Sequence, residues 1–175
     1  VNVIKVVLFD VVGNRHEESF NLILSVINAR TEYQSDNNTL GLFHMNDSAH
    51  TVLIDSSSHA YHAFHPSVST AGIQVRDGVF GRARLFSGSA SLTGPAIPLP
   101  GQQFTFEVWL RPSANSTGQV IIDTQQMSIL RVDMGRVRVI IRTRSESYTF
   151  ETPMDVLPMN ELHHLAVTWD GTQAG

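Results

Sequence analysis

The chain has 175 residues, 42% of them hydrophobic and 16% charged, and it contains no cysteine. This composition fits a folded chain long enough to bury a core, and it excludes disulfides, thiolate metal sites and cysteine nucleophiles. A formal net charge of −4 gives no global reason to expect nucleic acid or a membrane surface as partner, and no apolar run approaches the roughly 18 residues of a membrane span.

The first predicted element starts at once: Val3-Ile4-Lys5-Val6-Val7-Leu8-Phe9 reads as a strand already under way. Between Glu17 and Arg30, Phe20, Ile23, Leu24 and Ile27 suit a helical face, whereas Phe20, Leu22, Leu24 and Val26 suit a strand. The preceding Gly13-Asn14 turn favours strand, turn, strand, and the segment is read as a β-hairpin. Asn28 to Thr39, polar and rich in Asn, reads as a linker.

His59, His62 and His65 stand three apart, a spacing that would gather imidazoles around zinc on a helix, but Pro66 follows at once and favours loop histidines. Asp77-Gly78 marks a turn. Phe104 to Arg111 alternates, with Phe104, Phe106, Val108 and Leu110 on one face of a half-buried strand, and a second turn cluster follows at Pro112 to Ser116.

The most distinctive chemistry lies in Arg136 to Arg144, "RVRVIIRTR". Val137, Val139 and Ile141 take one side of the predicted strand; Arg136, Arg138, Arg142 and Arg144 take the other, with Ile140 between, each two-residue step along that side being about 7 Å. Planar guanidinium groups in a row suit sulfate or carboxylate groups of an anionic glycan. The competing reading is a solvated face balanced by Asp or Glu on neighbouring strands, with Ile140 on a contact surface. The last predicted strand alternates through Leu165, Val167 and Trp169 and runs into the hairpin signal Asp170-Gly171. The chain opens in mid-strand and stops at a turn, so further strands are expected from a longer polypeptide or from a neighbouring chain.

An ordered series of segments, "LGLFHMNDSAHTVLIDSSSHAYHA", "GVFGRARLFSGSASLTG", "FTFEVWLRPS" and "ELHHLAVTWDGT", resembles the LamG-like jelly-roll domains of the concanavalin A-like lectin/glucanase superfamily. The resemblance implies an all-β fold: an antiparallel β-sandwich of jelly-roll type over residues 40–175, lacking its last strands. Residues 1–27, with "VVLFDVVGN", resemble the C-terminal hairpin of a bacterial Ig-like domain, which makes residues 28–39 the linker. Together they imply a non-catalytic recognition or adhesion module of a secreted or cell-surface multidomain protein, extracellular and binding a glycan or an extracellular protein. The alternative is a structural subunit of an extracellular filament, sheath or surface layer, self-assembled by strand complementation through open sheet edges. Neither reading involves nucleic acid or membrane insertion.

Hydrolases of the superfamily place carboxylates on one strand in a Glu-x-Asp-x-x-Glu pattern. Here Glu107 stands alone on its strand, Glu146, Glu151 and Asp155 are not spaced to share a face, and no nucleophile elbow occurs, so no catalysis is expected. The resemblance also implies calcium, with Asp55 of the Asp-Ser-Ser turn as the metal ligand. Ser58-His59-Ala60, where Gly-Asn-Gly is usual, and Ser89 and Ala90, where acidic residues are frequent, depart from that pattern. Without a metal, Asp55 would cap its own turn.

Overall fold

Period-two hydrophobicity runs through most of the chain, and strands are what it produces. The computed structural model describes residues 6–9, 15–18, 32–65, 72–99, 103–114, 118–144 and 146–169, and over these the protein is all-β and antiparallel. It divides into two compact units, Asn28–Pro98, and Val1–Ile27 together with Leu99–Gly175.

The expected N-terminal hairpin is present as β1 (Val6–Phe9) and β2 (Arg15–Glu18), with Val6 opposite Glu18 and Phe9 opposite Arg15. Its predicted continuation through Phe20 to Val26 lies outside the described residues.

The unit Asn28–Pro98 holds two short ladders. β3 (Val52–Leu53) pairs with β4 (Ala63–Phe64), and β5 (Ile73–Asp77) pairs with β6 (Arg82–Phe86). Asp77 and Gly78 open the turn into β6 as the sequence predicts, closed by the Gly78 amide donating to the Gly81 carbonyl at 2.8 Å. Ahead of β3, Leu40 to Ala49 runs as loop. Met45 has φ of 61°, which breaks the extended backbone, and the carbonyls of Met45, Asp47 and Ala49 turn to the side chain of Arg84 instead of to a neighbouring strand.

In the other unit, the described residues from Leu99 onward form β7 (Phe104–Leu110), β8 (Gln119–Asp123), β9 (Met127–Arg131), β10 (Val137–Arg142), β11 (Ser147–Glu151) and β12 (His163–Trp169). They form a four-stranded sheet in the order β11-β10-β9-β8 and a two-stranded sheet of β12 with β7. One hydrophobic cluster takes Met127, Ile129, Val137, Val139, Ile141 and Phe150 from the first sheet and Leu165, Val167 and Trp169 from the second. Phe104, Phe106, Val108 and Leu110 pack against it from the predicted face of β7. Each fully buried Leu, Ile or Val contributes about 1.5–3 kcal/mol by leaving water, so this cluster is the main source of cohesion in its unit.

Two local features shape the sheet. The register between β8 and β9 slips between Val120 and Ile122, which bulges the edge strand. The β9–β10 connection is a tight turn at Asp133–Gly135, where Met134 (φ 54°) and Gly135 (φ 67°) both take the left-handed conformation. Leu157 donates its amide to the Gly135 carbonyl at 2.8 Å, and the buried Arg131 donates from Nε to the Leu157 carbonyl at 2.9 Å, tying the turn to the segment before β12.

Candidate functional site

The alternation of β10 decides what its two faces carry. Val137, Val139 and Ile141 are buried in the core, as the sequence predicts, and Arg138, Ile140 and Arg142 lie on the opposite face, each half-buried. Strand register then sets their neighbours: Arg138 lies between Leu130 of β9 and Glu151 of β11, and Ile140 between Ser128 and Thr149. Val120, opposite Leu130 on β8, extends an apolar row across the sheet from Leu130 and is 60% exposed.

Each guanidinium on this face has an acidic or polar neighbour. Arg138 pairs with Glu151 through Oε1, and Arg136 donates to Oε2 of the same carboxylate at 2.8 Å. Arg136 also donates to Asp133 Oδ1 at 2.8 Å. That hydrogen bond lowers the pKa of Asp133 from its ordinary value and raises that of Arg136. Arg142 donates to Ser128 Oγ at 2.7 Å and lies 3.8 Å from Asp123 Oδ1.

The β10 ladder itself covers only part of the expected row of four arginines. The strand holds Arg138 and Arg142; Arg136 belongs to the turn closed by the Val132 amide on its carbonyl, and Arg144 lies in the bend begun by the Thr143–Glu146 hydrogen bond. Arg144 is exposed and pairs with no described residue. Glu151 and Ser128, which fix the guanidinium groups, carry no sequence signal of that role, because it depends on which strands flank β10.

Asp55 is buried, at 4% exposure, and its carboxylate is saturated. Oδ1 accepts the amides of Leu42 and Ser57, each at 2.8 Å, and Oδ2 accepts Ser57 Oγ at 2.8 Å and the Tyr61 amide at 2.9 Å. Burial pushes its pKa up, but these hydrogen bonds outweigh burial and hold it below the usual aspartate value. The arrangement does not fit calcium at Asp55: N–H and O–H dipoles present their positive ends where a cation would need lone pairs. Among the described residues no group of three His, Asp or Glu side chains is placed to hold a metal ion. His62 accepts the Asp55 amide on Nδ1 at 3.0 Å, and His59 stacks on Tyr61, so these two loop histidines serve the Asp55 loop.

Glu107 sits across the sheet from the buried His164, whose ring lies against Trp109, with 3.6 Å between His164 Nε2 and Glu107 Oε2.

A family model of laminin G type, described as concanavalin A-like lectin/glucanases superfamily, matches residues 86–175, from the end of β6 through β12. No curated protein and no solved structure matches the chain.

Proposed function

We propose that this chain, which belongs to the concanavalin A-like lectin/glucanases superfamily, is a non-catalytic recognition module of a secreted or cell-surface protein and binds an anionic glycan. The binding surface is the outer face of the four-stranded sheet, centred on Arg138, Ile140 and Arg142. The observation that carries this reading is two guanidinium groups, 40% and 38% exposed, on one sheet face with an apolar residue between them. By strand rise they stand about 14 Å apart along the strand, a span suited to charged groups on successive sugars rather than to one small anion.

Glu151 and Asp123 hold these arginines in place without sealing them off. Ion pairs this exposed contribute no more than about 1 kcal/mol each, because water and salt screen them. A sulfate or carboxylate that offers bidentate hydrogen bonds to a guanidinium can therefore displace them.

The test is equilibrium binding to sulfated, carboxylated and neutral oligosaccharides at several salt concentrations. Arg138→Ser or Arg142→Ser should weaken binding to the anionic set about tenfold, or about 1.4 kcal/mol. Glu151→Gln, which frees Arg136 and Arg138 from their shared carboxylate, should strengthen it several-fold. Tight binding to neutral sugars that ignores all three substitutions would place recognition elsewhere, and binding to acidic proteins with no glycan affinity would reassign the partner.

A further inference from the structure

Loop 45–49 points its carbonyl oxygens inward at a single side chain. Arg84 Nη1 donates to the Met45 carbonyl at 2.8 Å, and Nη2 donates to the carbonyls of Asp47 and Ala49 at 2.6 and 3.1 Å. The Asp47 carboxylate lies 3.9 Å from the same nitrogen, and the Arg84 side chain has no exposed surface. Alternate residues of one short loop thus supply three carbonyls and a nearby carboxylate. That set of hard oxygens is the kind that holds a divalent cation such as calcium.

The loop also has anchors that do not involve Arg84. Asp47 Oδ2 accepts the Ile54 amide at 3.2 Å, Asn46 Oδ1 accepts the Arg82 amide at 2.8 Å, and Asn46 Nδ2 donates to Glu32 at 2.6 Å. These contacts keep the backbone in place when the guanidinium is removed, so the oxygens stay gathered.

We infer that loop 45–49 is a cation site whose occupant is a covalent one, the guanidinium of Arg84, and that it accepts a calcium ion when that guanidinium is taken away. A buried charge is tolerated only when dipoles or counter-charges surround it, and here the loop supplies both. The position differs from the Asp55 loop, where the converging groups are donors and repel a cation.

The experiment uses the full chain and calcium chloride alone, with thermal melting in calcium and in EDTA. The native chain should melt at the same temperature in both. Arg84→Ala should melt lower in EDTA and regain about 5 °C or more in millimolar calcium, since a ligand that binds only the folded state stabilises it by mass action. Adding Asp47→Asn should abolish that recovery. Folded Arg84→Ala that ignores calcium overturns the inference, as does a native chain that gains as much from calcium as the variant does. If Arg84→Ala does not fold in EDTA, refolding in calcium decides the matter: recovery supports the cation site, and no recovery overturns it.

Discussion

At Asp55 one carboxylate accepts four donors that the surrounding loop buries, so removing it strands all of them at once. Asp55→Ala should cost about 2–4 kcal/mol, because each buried donor left without a partner carries a desolvation penalty. Asp55→Asn should recover little of that loss, since the amide nitrogen replaces an acceptor with a donor facing other donors. Urea unfolding of the three proteins checks both statements. The pH dependence follows from the lowered pKa. Stability from Asp55 is present in full above the ordinary aspartate value of about 4 and is lost as pH falls through the lower folded value. Asp55→Ala should therefore flatten the acid limb of the native stability curve. The Asp-Ser-Ser turn was legible because the bond to Ser57 spans two residues. The bonds from Leu42 and Tyr61 were not, since they depend on how the rest of the loop closes around the carboxylate.

Among the elements, the β9–β10 turn has the least freedom to change. Gly135 has φ of 67°, and a Cβ there would lie 2.8 Å from the Leu157 carbonyl oxygen. Gly135→Ala should cost about 2 kcal/mol or more through backbone strain and that contact, and should disturb the Asp133–Arg136–Glu151 pairing that the turn positions. A lower melting temperature is the expected readout. β7 and β10 could be read directly from alternation, because each sets a more buried face against a more exposed one, whereas β12 is buried on both faces. On the outer face of β10, alternation placed Arg138, Ile140 and Arg142 together, but it overran both ends of the strand, because turn hydrogen bonds at Val132 and Thr143 stop the ladder. Arg84 could not be read as buried: it shares a face of β6 with Arg82, opposite Ala83 and Leu85, so alternation marks it as a solvent-facing charge, and only the loop folded over it buries it.

On the scale of the whole molecule, the two compact units are held by different physics. The unit with β7 to β12 has a broad apolar cluster, whereas the buried residues of Asn28–Pro98 include Asp55, Ser57 and Arg84 beside Leu53 and Ile73. Polar hubs depend on complete satisfaction, so loss of one member loosens its neighbours together. Hydrogen exchange should show this locality: Asp55→Ala should raise exchange across β3 to β6 while β9, β10 and β12 keep their protection. Uniform loss of protection would mean that the units unfold as one. The bulge in β8 has a separate consequence for life at high concentration. Continuous cross-β growth needs every layer to repeat the hydrogen-bond spacing of the last, and the slip between Val120 and Ile122 interrupts that spacing beside the most exposed valine of the sheet. An incoming chain would have to carry a matching irregularity to dock there, so β8 is a poor seed for amyloid despite its Val-Ile-Ile sequence.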